Sequence, residues 1–560
     1  MVVNNGIEVR GTKGGAKGGR SIHATRRFKP GDVIASFEDP AVVLPPGHRA
    51  LEYCNHCLKK QQQPGGVKLR ACTGCKTVAY CGPACQRANW SLVHKLECKA
   101  VQRLHEIKPA HEPDWVPTPI RAAVQVMLRP QVLARFEELE GHVEQWRKKD
   151  ETDLQLQSHG VVRCLGLDTG TFEALEGAFQ VLCKLLAGAN ESVMQLQTNA
   201  FSRSEEYYET GGVFLDTTLA MINHSCVPNA LVQFGGRTAT LRAASFIDPG
   251  NEIEISYIDQ TQPKSKRQHE LNLYHFECSC NKCQHDLDEY QVAMADPTVE
   301  LNTFSVMPDI ERFKTPPGGV NFDPQQGVEV MKLYKIFPAL PRSMMSDEKH
   351  KWLRKAYKTA SWFPKVGKYA IEPFAQLVDE ATFYFGKDRS NHECALAVAC
   401  FSAYEIEPYK HIVPFHPQRL KGLSSIAIAL SNTAPNPAKL TKLARDMAAT
   451  KTFPQAGVKV LENLDQVSLC QMVLAIIDIY SPQAPSADWE VVVLAKEMLS
   501  DIESLPGRER ENALIDAWRR DPKGMEEFFR YGLVEPVKTL SELGKVVLEA
   551  DLGQDRDLSA

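Results

Sequence analysis

Ten of the sixteen cysteines stand in short-spaced arrays, and Cys226 stands between them. Cys54-x2-Cys57, Cys72-x2-Cys75, Cys81-x3-Cys85 and His94-x3-Cys98 supply eight nitrogen and sulfur donors in one stretch. Zinc takes four such donors tetrahedrally, and a two-residue spacer lets one turn present two thiolates. Eight donors make two closed sites. No coordination position is left for a substrate, so these metals are expected to be structural, and a module this small needs them to fold. A further array follows at Cys278-x-Cys280-x2-Cys283. Between the two lies Asn223-His224-Ser225-Cys226-Val227-Pro228-Asn229, where Asn, His, Ser and Cys precede a Pro-Asn turn, and then Tyr257 closes Ile255-Ser256-Tyr257. The remaining cysteines, Cys164, Cys183, Cys394, Cys400 and Cys470, stand in helical-looking sequence and read as small core residues.

The elements that position these groups change character along the chain. Residues 6 to 44 are rich in β-branched and aromatic positions such as Ile7, Val9, Ile22, Val33, Ile34 and Phe37. Phe28-Lys29-Pro30-Gly31-Asp32-Val33-Ile34 and Ile247-Asp248-Pro249-Gly250-Asn251-Glu252-Ile253 are near-copies, each with Pro-Gly at a tight turn. They read as turns of two strand pairs rather than a sequence repeat. Gln86, Trp90 and His94 are at helical spacing, which predicts a short helix delivering the last ligands. Gln61 to Gly66 reads as a loop insertion. Residues 100 to 197 read as helical after Pro109, Pro113, Pro117 and Pro119, with no chemistry of their own. Arg237 to Tyr257 reads as two strands around Asp248-Pro249-Gly250, with Leu241, Ile253 and Ile255 inward and Tyr257 ending the second. Residues 290 to about 335 read as a Pro/Gly/Asp-rich connector. Helices are predicted beyond it at 395–405, 420–430, 437–447, 469–479, 491–499 and 512–518. They suggest a tetratricopeptide-like stack, although no clean 34-residue period is present.

With 560 residues the chain exceeds one hydrophobic core, so two or three domains are expected. Its 43% apolar and 24% charged residues are ordinary for a globular protein, and a net charge of -4 argues against a general nucleic-acid binder. No apolar run reaches the roughly 18 residues of a membrane span, and Met1 to Gly19 has no apolar stretch of a secretory signal. The expectation is a protein of cytoplasm and nucleus, where thiols stay reduced and clustered cysteines mean zinc.

The order of these motifs resembles the SET–MYND family of protein lysine methyltransferases, in which a MYND zinc module interrupts the SET fold. The resemblance covers residues 6 to 283 closely. It implies an α+β protein: a β-rich SET core, interrupted by the MYND module and a helical insert, then an all-α TPR-like C-terminal domain. The expected boundaries are 1–50 for the N-terminal SET segment, 51–100 for MYND, 101–197 for the insert and 198–260 for core SET. The post-SET zinc segment takes 261–290, the connector 291–335 and the helical domain 336–560. In the family the MYND ligands interleave, which implies one zinc on Cys54, Cys57, Cys81 and Cys85 and another on Cys72, Cys75, His94 and Cys98. A third structural zinc is expected on Cys226, Cys278, Cys280 and Cys283.

The resemblance also implies S-adenosylmethionine as cofactor. Gly19, Arg20 and Ser21 match the segment whose backbone meets it, with Ser21 where the family has glycine. Asn199, Asn223, His224 and Phe276 match further contacts, Phe276 on the adenine. Phe201, Tyr257 and Tyr274 would wall the lysine channel, and Tyr257 would be catalytic. The substrate is expected to be a lysine of a histone or another protein, and the chain a monomer. Between residues 51 and 100, Lys and Arg exceed Asp and Glu by six. This mildly basic module reads as a docking face for an acidic or proline-containing partner or for chromatin; the resemblance to MYND adaptors implies a peptide, whereas no basic run reads a DNA groove. The competing reading is a MYND and helical-repeat adaptor with an idle SET domain.

Overall fold

The computed structural model describes residues 6–11, 20–61, 67–107, 115–148, 152–185, 201–202, 212–315, 317 and 344–554. Gly19 and Asn199 lie outside them, and of Phe201 only the backbone position is described. The chain divides into two compact units, one of Met1–Ile258 with Ser265–Cys280, the other of Asp259–Lys264 with Asn281–Ala560.

The first unit is built on small sheets. β1 (Ile7–Gly11) pairs antiparallel with β2 (Arg20–Ala24). β3 (Val33–Phe37) lies on the edge of a sheet whose other strands come some two hundred residues later. β4 (Val42–Leu44) is buried throughout. β5 (Arg70–Ala71) and β6 (Ala79–Tyr80) form a two-residue ladder in the cysteine-rich module. β7 (Phe201–Ser202) and β8 (Val213–Leu215) extend the sheet of β4 in the order β4-β8-β7. β9 (Asn223–His224) is followed by β10 (Ala230–Gly235) and β11 (Thr238–Ala243), whose sheet has the order β10-β11-β3. β12 (Glu254–Ile255) pairs in parallel with β9, setting Ile255 beside His224. Ile22, Phe28, Phe214, Leu241, Ile253 and Ile255 fill the core between these sheets.

The two Pro-Gly turns pair with each other. Phe28 and Ile247 exchange backbone hydrogen bonds at 2.9 and 3.1 Å. The Ala24 N–H donates to the Asn251 carbonyl, and the Ala243 N–H to the Asp32 carbonyl. Two strands flank the Asp248-Pro249-Gly250 turn as expected, but they do not pair with each other. β11 and β12 join different sheets because the N-terminal turn takes the hydrogen bonds a hairpin partner would have used. Leu241, Ile253 and Ile255 are buried as expected, but Tyr257 lies two residues beyond its strand.

The helices begin where proline or glycine allows. α1 (Pro83–Asn89) has its proline in the first turn, where no amide partner is lost. A π turn over Trp90–His94 leads into α2 (Lys95–Ile107), so the ligand-bearing helix is continuous but not evenly wound. The insert contributes α3 (Thr118–Met127), α4 (Pro130–Glu137), α5 (Val143–Lys148), α6 (Thr152–Leu165) and α7 (Phe172–Leu185). α3, α6 and α7 pack against each other, and Cys164 and Cys183 are buried among them. α8 (Lys264–Leu271) precedes the last cysteine array.

The second unit is helical throughout its described length. Glu289–Ala295 is a helix closed by an Asp288–Gln291 capping box, and Pro297–Phe304 winds as 3-10 helix. These residues fall where a connector was expected. The sequence has the composition of a linker there, but capping and the burial of Tyr290, Ala293 and Val299 fix it as structure. Every helix predicted beyond it is present, at His392–Phe401, Pro417–Thr433, Pro437–Ala449, Gln466–Ile479, Glu490–Glu503 and Glu509–Arg520. His392–Phe401 packs against Glu535–Leu548, and Pro417–Thr433 against Gln466–Ile479. Cys394, Cys400 and Cys470 are core residues here. No single helix among the described residues is long and apolar enough to cross a membrane.

Candidate active site and metal centres

Three sets of donors converge. Cys54, Cys57, Cys81 and Cys85 form the first, Cys72, Cys75, His94 and Cys98 the second, and Cys226, Cys278, Cys280 and Cys283 the third. Within each set all donor atoms lie within 4.8 Å of one another. A zinc–sulfur bond of about 2.3 Å places tetrahedral ligand atoms ~3.8 Å apart. Cys57 and Cys81 are separated by 3.7 Å, Cys72 and Cys98 by 3.9 Å, and Cys226 and Cys278 by 4.0 Å. All are free thiols. These are spacings of a metal tetrahedron rather than of disulfides, and the donor chemistry fits zinc.

The second set has a supporting shell that sequence reading missed. His94 Nε2 faces Cys75 at 3.6 Å, while its Nδ1–H donates to Glu97 Oε2 at 2.8 Å. Glu97 is fully buried, and its other oxygen accepts from Arg121 at 2.9 Å and Gln125 at 2.8 Å. Burial works against the Glu97 charge, but Arg121 and His94 outweigh it and hold the carboxyl down to about 2. A carboxylate behind a ligand histidine fixes its tautomer and orientation. Glu97, three residues after His94, was within reach of a sequence argument. Arg121 and Gln125 sit in the insert, where no local signal points to a metal.

Near the third set, Gln268 of α8 clamps Cys278 through both ends of its amide. It donates to the Cys278 carbonyl at 2.9 Å and accepts from the Cys278 N–H at 3.1 Å. His224 links this region to the phenol. Its Nδ1 accepts the Tyr257 N–H at 3.0 Å, which leaves Nε2 protonated 3.3 Å from Cys226 Sγ. Burial lowers the His224 imidazole to about 4, so it is neutral, as that geometry requires. The His224 side chain is therefore engaged inside the protein.

An aromatic cluster surrounds it. The ring centroids of Tyr257 and Tyr274 are 5.1 Å apart, those of His224 and Tyr257 5.3 Å, and those of His224 and Phe276 5.9 Å. Phe276 stands edge-on to Tyr257. The Tyr257 hydroxyl donates to the Ile222 carbonyl, and the Tyr274 hydroxyl to the Tyr257 carbonyl at 3.3 Å. Burial pushes both phenols above their ordinary range, with Glu252 adding to the shift at Tyr257 and Tyr257 itself to that at Tyr274. Both stay protonated at neutral pH, so neither is a general base.

The N-terminal segment reaches the same place. Asn223 Nδ2 donates to Glu252 Oε1 at 2.7 Å and to the Arg20 carbonyl at 3.4 Å. Ser21 is buried; its hydroxyl faces His23 Nε2 at 3.0 Å, while His23 Nδ1–H donates to the Gly250 carbonyl. The structure thus gathers Arg20, Asn223, His224, Tyr257, Tyr274 and Phe276.

Residues 54–98 match the family model of the MYND finger. Relatives extend the match beyond it. The chain is 28% identical over 278 residues to N-lysine methyltransferase SMYD2-B of Danio rerio, covering 47% of this chain and 58% of that one. It is 29% identical over 285 residues to histone-lysine N-methyltransferase ASHR1 of Arabidopsis thaliana, covering 48% and 55%. To histone-lysine N-methyltransferase SMYD3 of Homo sapiens it is 26% identical over 304 residues, covering 53% and 67%. The chain thus carries a MYND finger and, over about half its length, resembles SET- and MYND-domain lysine methyltransferases. The chain spans between 55% and 58% of the length of the first two of these relatives. A solved SET domain, that of LSMT bound to lysine and AdoHcy, aligns over 95% of both chains at 11% identity with a TM-score of 0.21, too low to bear on the fold. These likenesses agree with the cysteine-rich module and the small sheets of the first unit.

Proposed function

We propose that this protein is an S-adenosylmethionine-dependent lysine methyltransferase acting on protein substrates. The observation that carries the reading is the Tyr257 phenol, held protonated against the Ile222 carbonyl in an aromatic cluster with Tyr274, His224 and Phe276. The proteins it resembles over about half its length are named lysine methyltransferases.

The residues present fit the cofactor. Asn223 offers an exposed amide, the Arg20 carbonyl lies beside it, and Phe276 offers a half-buried ring face for a purine. Gly19, Asn199 and the backbones of Ser21 and His224 complete the proposed contacts. When bound, the cofactor supplies an electrophilic methyl on a sulfonium. The chain's own residues must present a neutral lysine amine to it. A lysine at its ordinary pKa of ~10.4 is protonated and has no lone pair to attack with. Tyr257 and Tyr274, joined by Phe201 as the resemblance implies, would wall an apolar channel in which desolvation lowers an ammonium's pKa. Among the described residues no carboxylate or neutral imidazole of the cluster is placed as a base, so water carries the proton away. The Tyr257 hydroxyl orients the amine for in-line transfer.

We assign the three zincs to the three donor sets above, each with a structural role. Binding of a proline-containing peptide by the MYND module is also proposed. The test of the central reading is transfer of labelled methyl onto proteins of a cell extract, with Tyr257→Phe in parallel. Wild type should label discrete bands, and the variant should lose on the order of 100-fold in rate while cofactor binding persists. Equal labelling by the two proteins would remove Tyr257 from the mechanism. A wild type that neither labels nor binds the cofactor would leave the adaptor reading.

A further inference from the structure

The turn between α4 and α5 touches both sides of the cluster described above. On one side Arg20 of β2 donates to Glu138 Oε2 at 2.9 Å, and its other terminal nitrogen donates to the Glu138 carbonyl. On the other side His275, the residue between Tyr274 and Phe276, enters a small aromatic nest. Its ring centroid is 4.9 Å from that of His142 and 5.4 Å from that of Trp146, the latter edge-on. Trp146 is 1% exposed. The backbone around these contacts is unusual. His275 has φ 59° and His142 φ 49°, left-handed conformations that bulky side chains rarely adopt. At His275 that reversal sends consecutive aromatic residues to different neighbours. Tyr274 and Phe276 face Tyr257 and His224, while His275 faces the insert. The turn is itself anchored. Glu140 accepts the N–H groups of Gly141 and His142, and Lys184 of α7 donates to the Phe136 and Glu137 carbonyls at the end of α4.

We propose that Glu138 to Trp146 is a positioning element for the methyl-donor site. It sets the Arg20 backbone on one side and, through the His142–Trp146–His275 nest, the rings of Tyr274 and Phe276 on the other. The inference rests on the donor site assigned above and adds residues from outside the SET motifs. His142, Trp146 and His275 are positioning residues that need not touch the donor. Removing the His142 ring lets the Tyr274–Phe276 segment drift. A drift there loosens the proposed purine contact before it disturbs the lysine channel, so the effect should fall on donor affinity more than on peptide recognition.

The test uses His142→Asn, because asparagine tolerates the left-handed backbone while removing the ring. His142→Phe restores a ring, and Glu138→Gln weakens the Arg20 contact independently. S-adenosylhomocysteine binding is read by calorimetry on the full-length, zinc-loaded protein, with steady-state constants for donor and peptide alongside. His142→Asn should weaken donor binding about three- to tenfold, the size of one aromatic pair. It should raise the donor KM with peptide KM and melting temperature unchanged, and His142→Phe should recover most of the loss. Wild-type donor affinity in both His142→Asn and Glu138→Gln would overturn the proposal while leaving the donor site standing. A loss that tracks melting temperature and is not rescued by phenylalanine would reduce His142 to a packing residue and overturn it as well. A wild type that binds no donor would remove the donor site and this proposal together.

Discussion

At the scale of single residues, charge is placed where burial makes it consequential. Glu97 and Arg121 form an ion pair at 2.9 Å with both side chains almost fully buried. Such a pair has little net effect when replaced whole, but removing one partner strands a charge at about 3–5 kcal/mol. Arg121→Met should therefore destabilise the first unit by about that amount in urea unfolding. Glu97→Gln should weaken zinc at the second donor set by roughly 10- to 100-fold in chelator competition, because His94 loses the carboxylate that orients it. Glu407 in the second unit is a different case. Burial, reinforced by the charge of Asp379 and opposed by Arg419 and Lys410, pushes its carboxyl up to about 8. The folded protein thus holds a proton that the unfolded chain, with an ordinary carboxyl near ~4.3, releases. Its contribution to stability is fully present below that value and is lost as pH rises to about 8. The melting temperature of Glu407→Gln should decline less than that of wild type between pH 5 and 8.

At the scale of elements, the cysteine-rich module is built into the sheet core rather than appended to it. Leu58 directly follows the ligand Cys57, has φ 61° and belongs to the same buried cluster as Ile22, Phe214 and Leu241. The first zinc knuckle is therefore the support for a core side chain. Leu58→Ala should cost about 2–5 kcal/mol in urea unfolding, as for other buried leucines. A loss below ~1 kcal/mol would mean the site collapses freely. This scale also separates what the sequence revealed from what it concealed. The cysteine spacing, the Asn223-His224 pair and Tyr257 were legible because metal geometry and motif chemistry are local in sequence. The C-terminal helices were legible because their apolar spacing and proline breakers are local too. The pairing of the Pro30-Gly31 turn with the Pro249-Gly250 turn was not, since each copy alone specifies a turn and neither names its partner. The support of His94 by Arg121 and the nest around His275 were hidden for the same reason: one side chain reaches across a long stretch of chain.

At the scale of the whole molecule, the first unit carries both MYND donor sets, while the second is held by helix packing. Chelation should then act unevenly. Hydrogen exchange after verified zinc removal should show protection lost in β3, β10 and β11 and kept in Gln466–Ile479 and Glu535–Leu548. Far-UV helicity should fall only in part. Uniform loss of protection along the chain would show that the second unit depends on the metals as well.

The sheet in which β3 pairs with β11 has a consequence for how the chain is made. Ala35 lies opposite Leu241, so the N-terminal strand leaves the ribosome long before its partner exists. At roughly 5–20 residues per second the wait is on the order of 10–40 s. Throughout it, an apolar edge that includes Ile34 and Phe37 stands open, the kind of surface that recruits other chains. The zinc module is synthesised within that interval, and all eight of its donors have been added by Cys98. Metal capture during translation would set Leu58 in place early, giving the waiting strand a neighbour before its sheet is complete. Zinc supply during synthesis should then govern the yield of soluble protein more strongly than zinc added after the chain is released.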